Sequence, residues 1–198
     1  MDKETIKTYD QTAKQYDDET VDFWNKFPKT FLDKFASLAK EKVLNIGSGP
    51  GRDGLLLKER GLTVVCLDAS EAMISLSRER GLESVLGDFN QLPFEDSSFD
   101  SVWAYTSLLH VPKEEASKSI VEIKRVLRSG GILGLGLIEG ETEGYKESSD
   151  IEMPRWFSFY TKPEVEEFLR KYGFGVVYFE EYKIGTKNFL NFIAKKLV

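Results

Sequence analysis

The chain has few of the residues that several functional classes require. Its 198 residues include one cysteine, Cys66, and one histidine, His110. A single cysteine excludes an internal disulfide framework and fits a reducing compartment. No cluster of Cys and His and no acidic loop has the spacing of metal ligands, so we expect no metal. The pattern Gly-x-Ser-x-Gly is missing and Cys66 lies in an apolar run, which argues against a serine or cysteine nucleophile.

Positive charge and long apolar runs are also scarce. The chain has 27 lysine and arginine residues against 33 aspartate and glutamate residues, which gives a formal net charge of -6. Binding to nucleic-acid phosphates needs a basic surface, so we expect no nucleic-acid partner. No apolar run approaches the roughly 20 residues that span a bilayer, and the first residues do not resemble a signal peptide. We therefore expect a cytoplasmic protein without membrane contact.

From Val43 onward the chain repeats a short apolar run, a glycine-bearing turn and a helical stretch. The apolar runs predict strands at 43–46, 62–67, 84–86, 99–104 and 132–138. Ser70 is expected to cap one of the intervening helices, and Pro112 is expected in the first turn of another, which ends at 129–131. Nearly continuous apolar strands that alternate with helices indicate a parallel sheet covered on both faces.

The C-terminal part departs from this rhythm. Residues 161–164 form a capping box that predicts a helix ending at Gly173. Two further strands, 176–180 and 189–194, are joined by a few residues around Gly185, and such a short connection joins only antiparallel strands. We therefore predict one α/β domain, residues 1–198, with a doubly wound, Rossmann-like sheet. Its seven strands are expected to be mostly parallel, with an antiparallel last strand.

Two helical stretches precede the first strand, and each carries an apolar stripe. The first stripe is Ile6, Tyr9, Ala13 and Tyr16, and the second is Phe27, Phe31, Phe35 and Leu38. We expect the second stripe to cover the sheet. Tyr9 and Tyr16 differ from the others because each has a polar tip that needs a partner.

Glycine leads to two more expectations. Gly134 and Gly136 lie on one face of a predicted strand, which indicates that another backbone or a ligand approaches there. The run 140–144 is polar and contains two glycines, which predicts a mobile loop.

The most informative segment is the glycine loop at 47–51, between the first strand and the first helix of the sheet. Ligands of such folds bind beyond the carboxyl ends of the strands, where glycine lets the backbone approach and a helix start offers free N–H groups. Asp68 ends the second strand, where a carboxylate can accept hydrogen bonds from both ribose hydroxyls. Together these features predict a cofactor that contains a nucleoside.

The glycine spacing distinguishes between cofactor classes. A dinucleotide loop reads G-x-G-x-x-G, and in this chain Arg52 occupies the position of the third glycine. A nicotinamide-linked oxidoreductase is therefore the less favoured alternative.

Asn45-x-Gly47-x-Gly49-x-Gly51 resembles the first motif of the class I S-adenosylmethionine-dependent methyltransferases, specifically their small-molecule branch. Gly87-Asp88-Phe89 and the closing hairpin resemble further features of that family, and the resemblance extends over nearly the whole chain. It implies transfer of a methyl group from S-adenosylmethionine to a small organic acceptor by in-line displacement.

The resemblance divides the chain into a helical lid at 1–40, a cofactor-binding half at 43–138, and an acceptor lid with the last helix and hairpin at 139–198. It implies cofactor contacts from Tyr16, Asn45, Gly47, Ser48, Gly49, Arg52, Asp68, Ala69, Met73, Asp88, Phe89 and Ala104. The family's motif usually begins with Asp or Glu, so Asn45 removes a charge near the cofactor's ammonium group. A non-catalytic sensor or partner subunit that binds the cofactor is therefore a second alternative.

For the acceptor, the resemblance implies a pocket that includes Tyr9, Tyr105, Arg155, Trp156 and Tyr160. Arg155 can pair with an acceptor carboxylate or phosphate, but its aromatic neighbours can equally be a hydrophobic plug under the loop. His110 is the candidate general base, because it is the only side chain that ordinarily titrates near neutral pH. A capping or packing role for His110 is the alternative. The sequence does not indicate an oligomeric state.

Overall fold

The computed structural model describes residues 2–26, 28–148 and 151–197. The helices there are α1 (Lys3–Glu19), α2 (Phe23–Lys26), α3 (Thr30–Leu38), α4 (Arg52–Glu59), α5 (Glu71–Glu79), α6 (Ala116–Val126) and α7 (Lys162–Lys171), with a 3-10 turn at Leu108–His110. The strands are β1 (Lys42–Ile46), β2 (Thr63–Asp68), β3 (Glu83–Leu86), β4 (Phe99–Tyr105), β5 (Leu127–Ile138), β6 (Glu143–Ser148), β7 (Ile151–Ser158), β8 (Phe174–Ile184) and β9 (Lys187–Lys196). No helix in these ranges is long and apolar enough to cross a membrane.

Seven strands form the main sheet in the order β3-β2-β1-β4-β5-β9-β8. Strands β1 to β5 pair in parallel, whereas β9 runs antiparallel to both β5 and β8. The predicted fold, with its antiparallel last strand, is confirmed. The strand order changes direction at β1, so the loops after β1 and β4 diverge and leave a crevice at their carboxyl ends.

Aromatic rings of α3 form much of the cover on one face of this sheet. Phe31 and Phe35 are fully buried against Trp103 of β4, with ring centroids 5.1 and 4.8 Å away. Their predicted packing on the sheet is confirmed. Leu38 of the same predicted stripe is 40% exposed and does not share that role. Phe27 lies outside the described residues.

The two glycines of β5 make room for these rings. A Cβ added at Gly134 would lie 2.7 Å from Phe35 Cδ2 and 2.8 Å from Trp103 Cε3, and one at Gly136 would collide with the ring of Tyr105. Side-chain rings therefore fill the space, and the expectation of a backbone or ligand there is wrong.

The predicted boundaries of α6 are also wrong. Pro112 lies in a turn before the helix, where its carbonyl accepts hydrogen bonds from the amides of Glu115 and Ala116. At the other end the helix stops at Val126, because Leu127 is extended, buried and paired with Phe99 of β4. The pairing of β5 therefore begins before the glycines that were expected to end the helix.

The predicted loop at 140–144 is wrong in part: residues 140–142 lie between strands, but residues 143 and 144 begin a strand. Residues 143–148 form β6, which pairs antiparallel with β7 in a separate two-stranded sheet, here called the β6–β7 hairpin. Tyr145 packs edge-on against Trp156 across it, with ring centroids 5.2 Å apart. A polar strand of this kind lacks the apolar alternation by which strands are recognised, and its partner comes later in the chain.

Substitution of Gly134 tests how tightly the α3 face is packed. We expect Gly134→Ala to lower the free energy of unfolding by about 1–3 kcal/mol, because its methyl group would overlap two fully buried rings. Urea denaturation measures the change. Gly175→Ala is the control, since its methyl group would meet only the half-exposed side chain of Leu197. Equal stability of the two variants would contradict the packing described here.

Candidate active site

A cavity of about 740 Å³, including its open mouth, lies at the carboxyl ends of β1, β2 and β4. Predicted site residues that line it are Tyr9, Tyr16, Gly47, Ser48, Gly49, Arg52, Asp68, Met73, Phe89, Tyr105 and His110. Residues that were not predicted also line it, namely Thr20, Phe23, Trp24, Pro50, Asp53, Thr106 and Ser107. The cavity thus combines most of the predicted cofactor residues with part of the predicted acceptor pocket.

Four predicted cofactor residues are not among those that line the cavity: Asn45, Ala69, Asp88 and Ala104. Asn45 is 1% exposed on β1, and its Nδ2 lies 3.9 Å from the sulfur of Cys66. The Asp88 carboxylate instead accepts a hydrogen bond of 3.0 Å from the amide of Asn90. Ala104 is fully buried within β4.

The predicted acceptor segment 153–160 is likewise not part of the cavity wall. Tyr160 lines a separate apolar cavity, formed mainly by residues of β5, α6 and α7. Arg155 is 3% exposed, with its guanidinium 5.4 Å from the ring centroids of Tyr9 and Phe157. Trp156 contacts the site through its backbone carbonyl, which lies within hydrogen-bond distance of His110. The predicted single acceptor wall is therefore divided between two places.

The glycine loop after β1 has positive φ angles at Gly47 and Gly49, but the space around these two residues differs. Gly47 has φ +62°, and a Cβ there would collide with the side chain of Ser107 and lie 3.0 Å from the Phe89 ring. Gly49 has φ +52°, and a Cβ there would have only Tyr16 nearby, at 4.0 Å. The loop therefore needs glycine at both positions, and at Gly49 it leaves open space for a ligand.

Asp68 connects this loop to the next one. Its two carboxylate oxygens accept hydrogen bonds from the backbone amides of Gly49, at 2.8 Å, and Ser70, at 2.9 Å. The side chain is nearly buried, and this burial raises the pKa of Asp68 to about 6 although the amides oppose the shift. A carboxylate has about four acceptor positions, so both oxygens can accept further hydrogen bonds.

The hydroxyl group of Ser107 also fits a polar ligand. Ser107 follows β4, lines the cavity and is 4% exposed, and its Oγ has no hydrogen-bond partner among the described residues. A buried hydroxyl without a partner costs free energy, which a ligand group can recover. This hydroxyl, the space above Gly49 and the Asp68 carboxylate together fit a nucleoside-containing cofactor.

His110 is the centre of a buried hydrogen-bond chain. Its Nδ1 lies 2.6 Å from the backbone carbonyl of Trp156, and its Nε2 lies 2.9 Å from the hydroxyl of Tyr9, which also accepts a hydrogen bond from Arg155 at 3.2 Å. Burial lowers the pKa of His110 to about 4, so the ring is neutral at pH 7. A carbonyl only accepts, so Nδ1 carries the hydrogen and Nε2 accepts from Tyr9.

Helix α1 covers the cavity and is attached to the β6–β7 hairpin. The hydroxyl of Thr8 donates to the carbonyl of Pro154, and the amide of Trp156 donates to the hydroxyl of Thr5, both at 2.8 Å. These threonines are fully buried, whereas Tyr9 and Tyr16 face the cavity. The apolar stripe of α1 gives no sign of this contact, because threonine is polar.

Ion pairs attach the C-terminal half of α1 to α4 and to the end of α5. Asp17 binds Arg52 of α4 at 2.5 Å and Arg80 after α5 at 2.7 Å. Closer to the middle of the helix, Asp10 accepts a hydrogen bond of 2.7 Å from the hydroxyl of Ser70. Arg52, predicted as a cofactor residue, thus also positions the helix that covers the cavity.

Asp53 is the charged residue of the cavity that sequence analysis missed. Its carboxylate accepts hydrogen bonds from the indole nitrogens of Trp24, at 2.6 Å, and Trp103, at 2.8 Å. Burial raises the pKa of Asp53, against the effect of the two indoles. An acidic residue in the first turn of a helix usually serves the helix dipole, so its sequence position gives no sign of this role.

Comparison with known sequences identifies the family. A model of the methyltransferase domain matches residues 44–135. An uncharacterised methyltransferase of Staphylococcus carnosus is 32% identical over 146 residues, which cover 73% of this chain and 70% of that protein. Other curated relatives are longer, and the chain spans 36% to 61% of their length.

Solved structures show the same fold. The complex of DhpI with S-adenosylhomocysteine has a TM-score of 0.81 at 21% identity, over 100% of this chain and 99% of that one. The 1,6-didemethyltoxoflavin-N1-methyltransferase of Burkholderia thailandensis, with 1,6-didemethyltoxoflavin and S-adenosylhomocysteine bound, has a TM-score of 0.73 at 19% identity, over 98% and 88% of the two chains. From the sequence matches and this fold, the chain belongs to the class I S-adenosylmethionine-dependent methyltransferases.

Proposed function

We propose that this protein transfers the methyl group of S-adenosylmethionine to a small organic acceptor that carries an N–H or O–H group. The observation that carries the proposal is the hydrogen-bond chain from Arg155 to Tyr9 and His110, the last two of which line the cavity. Helix α1, which is bound to the β6–β7 hairpin, covers that cavity, so a small molecule fits it better than a macromolecule. The Burkholderia methyltransferase of similar fold was solved with the small molecule 1,6-didemethyltoxoflavin bound.

The cofactor end of the cavity is assigned to Asp68 and the glycine loop. The ionised Asp68 would accept hydrogen bonds from the ribose hydroxyls, while Met73 and Phe89 provide apolar surface for the adenine. When bound, S-adenosylmethionine supplies a methyl group on a cationic sulfur for in-line displacement. The walls of the cavity then contribute mainly by alignment, which is worth roughly 7–11 kcal/mol in well-oriented pairs.

The acceptor end is assigned to Tyr9 and His110. The Tyr9 hydroxyl already donates to Nε2 of His110, so it can take a proton from the acceptor while passing its own to the imidazole. The resulting imidazolium would keep its Nδ1 hydrogen bond to the carbonyl of Trp156. Arg155 would stabilise negative charge that develops on the Tyr9 oxygen, because its guanidinium donates to that atom.

The low pKa of His110 bears on the timing of this proton transfer. A base with a pKa of about 4 is in its accepting form throughout the neutral range, but it binds a proton weakly. It therefore cannot ionise an alcohol or amine in advance. An N–H or O–H group becomes far more acidic once its atom bonds to the methyl carbon, and this base is strong enough for such a late transfer.

A module that binds the cofactor without catalysis is the second candidate. In the sequence it rests on Asn45, which does not line the cavity. Transfer of label from methyl-labelled cofactor to pools of small amines, alcohols and phenols separates the two functions. Labelled product supports the enzyme, and tight cofactor binding without product favours the module. The absence of nucleic-acid partners and the cytoplasmic location remain predictions from the charge and the single cysteine.

Substitution of Asp68 tests the cofactor end. We expect Asp68→Asn to raise the Kd for S-adenosylhomocysteine about 10-fold or more, because hydrogen bonds to a charged acceptor are lost. In the wild type the affinity should fall as the pH drops through about 6, where Asp68 takes up a proton. Isothermal titration calorimetry between pH 5 and 8 measures both effects.

The same titration includes a matched control. Asp33→Asn changes a carboxylate that is 61% exposed on α3, so it should keep the wild-type affinity and pH profile. An unchanged Kd for S-adenosylhomocysteine in Asp68→Asn at pH 8, where the wild-type carboxylate is ionised, would refute the assignment of this carboxylate to the ribose.

Substitution at the acceptor end tests the proton path. We expect His110→Gln and Tyr9→Phe each to reduce the turnover number about 100-fold, a typical loss for an acid–base group. The Kd for S-adenosylhomocysteine should stay near the wild-type value in both variants. Tyr145→Phe is the control, since the hydroxyl of this half-exposed tyrosine binds Asp2 on the surface. Wild-type turnover of His110→Gln would return His110 to a packing role.

A further inference from the structure

The carboxylate of Asp53 is held in an unusual way. Both of its oxygens accept hydrogen bonds, but both donors, Trp24 and Trp103, are neutral. Asp53 forms no ion pair with any other described residue; the neighbouring Arg52 is paired with Asp17, and its charge lowers the pKa of Asp53 only against the larger effect of burial. Burial of a carboxylate without a cation is unfavourable, and such a charge usually has a partner. The two indoles fix the carboxylate at the cavity wall without neutralising it.

Among the described residues that line the cavity, Asp53 and Asp68 are the two carboxylates. Asp68 ends β2 and accepts hydrogen bonds from the amides of Gly49 and Ser70, an arrangement that suits hydroxyl groups of a ribose. Asp53 lies instead in the first turn of α4 and is tied to β4 through Trp103. The two acids therefore serve different parts of the site.

We propose that Asp53 binds the ammonium group of the methionine part of the cofactor and supplies the negative charge that Asn45 lacks. Asn45 is an uncharged, buried amide whose Nδ2 lies 3.9 Å from the sulfur of Cys66, and it does not line the cavity. Asp53 lines the cavity, and each of its oxygens retains a lone pair after accepting from one indole. An ammonium group can use these positions in charge-assisted hydrogen bonds.

The residues near Asp53 also suit the carboxylate group of an α-amino acid. Arg52, the preceding residue, lines the same cavity and carries the opposite charge. The hydroxyl of Tyr16 also lines this wall and can donate to a carboxylate, whereas the hydroxyl of Thr20 already donates to the carbonyl of Tyr16. A wall with a fixed anion beside a cation and a hydroxyl donor is complementary to a zwitterion. A neutral ligand end would leave Asp53 without a directly bonded cation.

This inference rests on the proposed cofactor site, and the experiment separates the two. The probes are S-adenosylhomocysteine and its analogue in which hydrogen replaces the α-amino group. In the wild type we expect the analogue to bind about 10- to 100-fold more weakly. In Asp53→Asn that ratio should fall to near one, because the removed amino group no longer has an ionic partner. Isothermal titration calorimetry gives all four constants.

Binding of the analogue shows directly whether the variant is folded. Asp53→Ser is prepared alongside, since the Asn amide would turn an N–H group toward an indole N–H group. Asp96→Asn, at a carboxylate that is 78% exposed, is the control and should keep the wild-type ratio. A wild-type ratio near one, an unchanged ratio in both Asp53 variants, or equal weakening of both ligands would overturn the role of Asp53. Failure of the wild type to bind S-adenosylhomocysteine would instead overturn the cofactor site itself.

Discussion

One buried carboxylate connects the parts of this molecule that form the site. Asp68 accepts hydrogen bonds from the backbone after β1, through Gly49, and from the backbone after β2, through Ser70. The hydroxyl of Ser70 accepts from the Met73 amide at the start of α5 and donates to Asp10 of α1. The glycine loop, the start of a helix and the cover of the cavity thus share one polar network. Loss of the charge on Asp68 would weaken its hydrogen bonds to the amides of both Gly49 and Ser70, since hydrogen bonds to ionised groups are the stronger ones.

The electrostatics of the cavity follow from what surrounds each group rather than from the net charge of -6. Asp68 has backbone amides, Asp53 has indoles, and His110 has a carbonyl on one nitrogen and a phenol on the other. Burial moves the pKa of each acid upward and that of the histidine downward, because it disfavours the charged form in every case. The protonation states of Asp68, Asp53 and His110 are therefore sensitive to a nearby cation and to proton transfer.

The sequence allowed prediction of the features that depend on local pattern. Parallel strands, the glycine loop and Asp68 follow from apolar runs and turn residues, whose physical constraints act within a few positions. The indole contacts of Asp53 join residues 29 and 50 positions away, and no local pattern reports them. The threonine face of α1 and the polar strand β6 could not be predicted, for a related reason. Their partners are backbone atoms or a later strand, so their own side chains carry no apolar signal.

The attachment of α1 to β7 has an evolutionary consequence. Thr5 and Thr8 bind an amide and a carbonyl of β7, and His110 binds a second carbonyl there, so all three contacts use the backbone. Backbone groups are present whatever side chain a position carries, proline amides aside. Substitutions along β7 can therefore alter the surface beside the cavity while the cover stays attached. The side chains of this strand can therefore diverge among relatives without rebuilding the rest of the fold.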